Sequence, residues 1–305
     1  LGKVLEERAG SMSKVLSVGI ATVDNIVLVE RYPEKDERVV ALENAHSVGG
    51  PATVAAIAMA RLGVAVSLSA VVGRDEAGDF IINTLLREGV DTSLIERSEK
   101  PTSTSTIVIS ASESTRAIMV KPERVAPEKK PINLHDFAWI HADHFGALTL
   151  KNWGVKRGGL KGDSTKLSLD LGYATEGISS ADWDLYVPSE KITTDISTAS
   201  RDKNLVVISH GGEGSAYSDG EVQGRVPAIS TQVKSTLGAG DVFHGALVAT
   251  QVWGKALAES VLIANIVAGL SCRALDGYSA IPTRKELDEY LESNSGSLLR
   301  ERVGI

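Results

Sequence analysis

One cysteine, Cys272, stands among 305 residues, so no disulfide can form within the chain and a reducing, cytoplasmic setting is expected. It falls in an apolar helical stretch, where a buried, inert thiol is expected. No apolar run approaches membrane-spanning length, and the N-terminal stretch lacks the apolar core of a signal peptide. Basic blocks are missing too: 32 Lys and Arg against 39 Asp and Glu leave a net charge of −7, which argues against nucleic acid or an anionic membrane as partner. Two phosphate-binding fingerprints are absent. A single glycine, Gly19, closes the first apolar run where GxGxxG would be needed, and GxxxxGK[ST] occurs nowhere, which removes dinucleotide-dependent dehydrogenases and P-loop NTPases. Aromatic residues make up only 5% beside 43% hydrophobic residues, a balance that suits an α/β enzyme better than an all-β sandwich. The length allows one sizeable domain; residues 1–12 read as a polar tail and 13–305 as the domain.

What is present is an alternation of strand and helix interrupted twice. Lys14 to Ile20 is a buried-strand pattern, and Asp24 follows it at the ligand edge of an α/β sheet. Residues 26–29 with 38–42, and 105–109 with 116–120, are β-type pairs without a crossover helix between them. They are expected to form two antiparallel ribbons, about 25–48 and 102–121, that meet as a small β lid. Between the ribbons, Gly49-Gly50-Pro51 opens a small-residue helix closed by Gly63; residues 67–72 read as one strand and 75–88 as a helix. Strands are then expected at 139–142, 166–170, 185–187 and 205–209, ending in Asp143-His144, Asp170, Ser189-Glu190 and His210-Gly211-Gly212 along one sheet edge. His141 and His144 have a metal-like spacing without further Cys or His partners, so they are assigned to a pocket wall and no residue is assigned to a metal. A hairpin is expected around Asp219-Gly220, then three helical stretches ending near Asn294. The first of these opens on Gly238-Ala239-Gly240-Asp241, where unpaired amides at a helix start make a backbone anion site beside a carboxylate.

In this order, Asp24, Gly49-Gly50, Arg61-Leu62-Gly63, Gly73-Arg74-Asp75 with Gly78, and Gly238-Ala239-Gly240-Asp241 resemble the ribokinase-like (phosphofructokinase-B) carbohydrate kinases, from Lys14 to about Leu291. The resemblance implies a parallel-core α/β sheet with helices on both faces, a β lid, and transfer of the γ-phosphoryl group of ATP to a sugar hydroxymethyl group. It implies Asp241 as general base, with the amides of Ala239, Gly240 and Asp241 after Gly238 stabilising the phosphoryl group in flight. Asp24, Gly49, Gly50 and Thr53 would hold the sugar, with His144 in the pocket wall. Ser209, Gly212, Gly214, Thr236 and Asn265 would serve the nucleotide.

Departures from the family pattern qualify these roles. Val54 stands where a sugar-binding Asn is usual, which passes the polar contact to Thr53 or loses it. Ser235-Thr236 replaces the Asp-Thr that helps hold a monovalent cation, leaving potassium activation open. The Asn-x-x-Glu motif, associated with magnesium and phosphate, reads Ser189-Glu190-Lys191-Ile192, leaving Glu190 to substitute through water for the altered ends; magnesium is expected in any case because ATP brings it. The runs Gly50-Pro51-Ala52 and Gly240-Asp241-Val242-Phe243-His244 look similar to the sulfofructose kinase branch, with Arg38 where that branch faces a sulfonate and Phe145 where it has an arginine. Alternatives are a nucleoside kinase, which aromatic-poor ribbons disfavour, and a non-catalytic sugar or nucleotide sensor, against which Asp241 argues. The family often pairs through its lid, and the apolar faces of residues 26–29 and 105–109 fit a homodimer.

Overall fold

The computed structural model describes residues 14–121, 126–131, 133–160, 164–172, 176–199 and 204–302; the expected tail at 1–12 lies outside them. Its spine is an eight-stranded sheet. In chain order the strands are β1 (Val15–Val18), β4 (Val66–Ser69), β9 (Trp139–Ala142), β10 (Lys166–Leu171), β11 (Leu185–Pro188), β12 (Leu205–Ser209), β13 (Ser215–Ser218) and β14 (Gln223–Val226). Across the sheet they run β14-β13-β12-β11-β10-β9-β1-β4. Pairing is parallel from β12 to β4, and the β13–β14 hairpin extends that edge antiparallel. The chain leaves β1 toward β4 on one side and returns to β9 on the other. A crevice therefore opens at the carboxyl ends of β1 and β9, where α/β sheets bind ligands.

Both faces of the sheet are covered, and period-two alternation decides which residue goes where. Val15 and Trp139 join the core shared with α1 (Pro51–Arg61), α5 (Ala239–Val252) and α6 (Leu257–Ser271). Leu16, Val18, Ile140, Leu167 and Leu169 point the other way, toward α3 (His144–Asn152). Helix α2 (Glu76–Arg87) flanks the lid side, α4 (Ile196–Ala199) is one short turn, and α7 (Arg284–Arg302) follows α6. No helix among the described residues is long and apolar enough to cross a membrane.

The two ribbons do meet. The antiparallel pair β2 (Thr22–Val29) and β3 (Ala41–Gly49) joins the antiparallel pair β7 (Thr104–Ser110) and β8 (Thr115–Val120) through a parallel β2–β7 contact, giving a lid of order β3-β2-β7-β8. Its inner face carries Ile26, Ile107 and Ile109 onto Leu275, so these three residues of the apolar segments expected at a dimer contact are buried within the chain.

Several boundaries differ from the sequence reading. The second lid strand begins at Ala41 rather than at Arg38, because Pro33 and the charged residues 34–38 form an exposed loop in which Asp36 takes φ 62°. Strand β2 starts at Thr22, which puts Asp24 inside the lid rather than in a turn before it. The stretch read as one strand over 67–72 is two: after Ala70 the chain leaves the main sheet, and β5 (Val71–Gly73) pairs with β6 (Glu96–Ser98). Helix α7 continues past Asn294 to Arg302.

Candidate active site

A cavity of about 670 Å³ lies between the lid and the carboxyl ends of the central strands. The lid contributes Asp24, Ser105 and Arg116; the body contributes Asp170, Gly240 and Asp241.

Its floor is the start of α5. Gly238 takes the left-handed conformation (φ 72°), and a Cβ there would lie 2.7 Å from the Gly277 Cα, so only glycine makes this turn. Val242 is the first residue whose N–H turns back into the helix, donating to the Gly238 carbonyl at 2.9 Å. The Ala239 amide donates to the Thr236 carbonyl at 3.3 Å, and the amides of Gly240 and Asp241 find no acceptor among the described residues. A Cβ on Gly240 would meet nothing within 4 Å, so this backbone faces open space. Unclaimed amides at the positive end of a fourteen-residue helix form an oxyanion site.

Asp241 stands in that first turn. Burial pushes its carboxyl up to about 7, the charges of Asp143 and Asp24 add to the rise, and Arg116 pulls against it. One helical turn on, His244 places Nε2 at 3.3 Å from Asp170 Oδ1. Burial, with the charges of Asp241 and Asp143, drives Asp170 well above the usual carboxylate range. Burial and the nearby His141 drive His244 well below the usual imidazole range. Burial thus disfavours the charged form of both partners in this contact. His141, lowered to about 4 by burial, shares a 2.8 Å bond between its Nδ1 and Ser168 Oγ. Buried polar side chains, Asp170, His141 and His244, therefore back the Asp241 carboxyl. Asp143 is spoken for by backbone: its carboxylate accepts from Ile20, Phe145 and Gly146 amides and caps α3.

Of the residues assigned to the sugar, the structure gathers Asp24, Gly50 and His144 at the cavity. Thr22 Oγ1 donates to Asp24 Oδ1 at 3.0 Å. Gly49 lies just behind Asp24, and Gly50 (φ 97°) begins α1. Thr53 is fully buried and spends its hydroxyl on the Ile20 carbonyl at 2.8 Å, so it does not take over a sugar contact. Arg38 sits in the exposed loop before β3 and is not brought to the cavity. Phe145 is part of the cavity wall.

On the nucleotide side, Ser209 lines the cavity at the end of β12, beside Ser189 and Lys191. Gly212 faces open space, whereas a Cβ on Gly214 would lie 2.1 Å from the Val226 carbonyl oxygen; that glycine serves the hairpin packing. Asn265 also ties the hairpin to α6: Ser215 Oγ donates to its Oδ1 at 2.9 Å, and its Nδ2 donates to the Val226 carbonyl at 3.0 Å. Glu190 pairs with His210 Nδ1 at 3.1 Å. Thr236 accepts a 2.9 Å bond from Arg116 Nη1. Among the described residues no group of three or more His, Cys, Asp or Glu is placed to hold a metal ion. Sequence reasoning gave no role to Arg116, Asp170, His244 or Ser189. Asp170 and Ser189 were recognisable as strand ends, but nothing local marks Arg116.

Comparison with known proteins follows the same lines. Over 302 residues the chain is 25% identical to a ribokinase of Lactococcus lactis, an alignment spanning 92% of this chain and 98% of the relative. In structure it is similar to the ribokinase of Thermotoga maritima, with a TM-score of 0.77 at 20% identity over 92% of this chain and 99% of the other. It is likewise similar to an Arabidopsis thaliana ribokinase solved with ribose and ATP, with a TM-score of 0.73 at 22% identity over 92% and 99%. At that identity the two structures speak for the fold alone. The family description "pfkB family carbohydrate kinase" matches residues 12–146 and 190–284. The chain belongs to the pfkB family of carbohydrate kinases.

Proposed function

We propose that the protein phosphorylates the hydroxymethyl group of a small carbohydrate with the γ-phosphoryl group of ATP, and that Asp241 is its general base. One observation carries this reading: a carboxyl poised near neutrality stands in the first turn of α5, beside two helix amides that no described residue claims. Asp24 would orient the acceptor through hydrogen bonds to its hydroxyls. Asp241 would take the hydroxyl proton as the oxygen attacks the γ-phosphorus, and ADP would leave. The Gly240 and Asp241 amides would hold the equatorial oxygens in flight, a role that needs donors already in place. The lid would exclude water from the exchange.

A triphosphate fits the residues present. Ser189 Oγ is buried with no partner among the described residues, Ser209 and Lys191 stand beside it, and Gly212 is open. Among the described residues no cluster of three or more metal-ligating side chains offers a metal its own site, so magnesium enters this reading as the companion of ATP, and no step is assigned to it. The cavity face of the lid presents Ile107, Ile118 and Val120, aliphatic groups that suit a sugar better than a stacked nucleobase. The sulfofructose branch gains no support, with Arg38 outside the cavity and Phe145 in its wall. A homodimer through the lid stays part of the proposal, now resting on the exposed Leu42 (56%) and Met119 (53%).

ADP release from Mg-ATP over a panel of pentoses, hexoses, ketoses, sugar acids and adenosine tests the activity, with the phosphorylated position read by phosphorus NMR. Sugar-dependent ADP with a phosphomonoester on a terminal carbon is the expected result; release that ignores every sugar would remove the reading.

A further inference from the structure

The charges around the cavity are unevenly matched. Asp24, Asp170 and Asp241 line it; Lys191 stands on the body side beside Ser189 and Ser209, and the cation the lid brings is Arg116. Arg31 pairs with Glu37, Arg74 with Glu99, Arg97 with Asp79 and Lys234 with Glu43, and Arg38 stands in the exposed loop away from the cavity. Arg116 has no carboxylate partner among the described residues; its one hydrogen bond runs from Nη1 to the Thr236 hydroxyl at 2.9 Å. A guanidinium carries five N–H donors in a rigid fork, so most of its capacity is unspent.

Its place follows from the register of the lid. Residues alternate along β8, and Arg116, Ile118 and Val120 are those that turn to the cavity. Val120 pairs with Ser105, which pairs with Asp24, so those three form one row across the lid. Arg116 pairs with Ile109, four residues further along β8, or about 13 Å at the usual strand rise. Asp241 feels the charges of both Asp24 and Arg116. Across the lid face of the cavity, the Asp24 carboxylate thus stands at one end and the Arg116 fork at the other.

A neutral sugar has no use for such a fork, and a solvated guanidinium there gives it nothing. An acceptor bearing an acid group would be repelled by the Asp24 and Asp241 carboxylates unless its charge met a cation away from them. We propose that Arg116 is a specificity-determining residue that reads an oxyanion, a carboxylate or a phosphate, on the acceptor, so that acidic sugars rather than neutral ones are the substrate class. This rests on the acceptor site proposed above. Because Arg116 rides on the lid and hooks Thr236, two residues before Gly238, seating the anion would also favour the closed lid.

Calorimetric titration without nucleotide tests the assignment, using gluconate, 2-keto-3-deoxygluconate and fructose 6-phosphate against glucose and fructose. Wild type should bind at least one acid roughly tenfold or more tighter than its neutral counterpart. In Arg116→Met the preference should fall to near one with neutral binding unchanged, and Arg116→Lys should retain part of it. Which acid responds separates carboxylate from phosphate. Three results would overturn the assignment: neutral sugars bound as tightly as every acid, a preference that survives Arg116→Met, or a loss confined to ATP affinity. Melting temperature checks that each variant is folded. An acid preference without ADP release would leave Arg116 standing and remove the phosphotransfer reading instead.

Discussion

Gly49 and Asp24 occupy adjoining strands so closely that a Cβ on Gly49 would lie 2.0 Å from Asp24 Oδ2. The glycine is thus what lets the carboxylate lie against the lid backbone and face the cavity. Gly49→Ala should displace Asp24 and raise the KM for sugar about tenfold or more, with the KM for ATP within twofold of wild type. Gly63→Ala, where a Cβ meets nothing within 4 Å, is the control for backbone strain alone. Equal effects of the two substitutions on sugar KM would show that Asp24 placement is not what Gly49 provides.

Asp75 fastens the lid to the body. It caps α2 through the Gly78 amide and also accepts from the Thr102 amide, both at 2.8 Å, at the point where the second ribbon begins. Burial works against its ionisation, but the bonds from Thr102 and Gly78 outweigh it and hold the carboxyl below its usual value. Asp75→Ala should cost about 1–2 kcal/mol, the range of a lost cap, seen as a melting point a few degrees lower. A melting point unchanged at pH 7 would contradict this role. The folded-state pKa is lowered, so the stabilisation is present above the unfolded value and is lost as pH falls through the folded one.

How far these features were legible depends on where their cause lies in the chain. The turns at Gly50 and Gly238 were readable because left-handed backbone, φ 97° and 72°, demands glycine there. The parallel core was readable from short apolar runs with polar ends. Arg116 was not, since its one hydrogen bond among the described residues reaches Thr236, 120 residues away, and a β8 whose residues are all exposed leaves no pattern to mark its inner face. Thr53 and Asn265 were assigned to ligands through the resemblance, one as neighbour of the altered Val54 and the other as a position that serves the nucleotide. Both are instead consumed by buried backbone carbonyls that no local pattern announces.

The raised Asp241 carboxyl makes two pH statements. As a base it works only when ionised, so kcat/KM should fall tenfold per unit below about pH 7 and level off above it. A limb centred near pH 4 would show the base to be unperturbed. For stability the sign is opposite to that of Asp75: a pKa raised in the folded state favours folding below the unfolded value and loses that advantage as pH rises through about 7. Asp241→Asn should therefore melt higher than wild type at pH 8, with the gap closing toward acid.

Leu42 and Met119 are 56% and 53% exposed on opposite edge strands of the lid. If two copies pair there, Leu42→Asp with Met119→Lys should halve the mass found by sedimentation equilibrium. A mass unchanged by the double substitution would remove the lid from the interface.

The central claim is that the carboxylate at the start of α5 is the base of a phosphotransfer. Asp241→Asn keeps the size of the side chain and the helix start while removing the proton acceptor. Sugar-dependent ADP formation should fall by roughly a hundredfold or more, in line with the usual contribution of a general base, while ATP and sugar still bind. Turnover within a few fold of wild type would contradict the account.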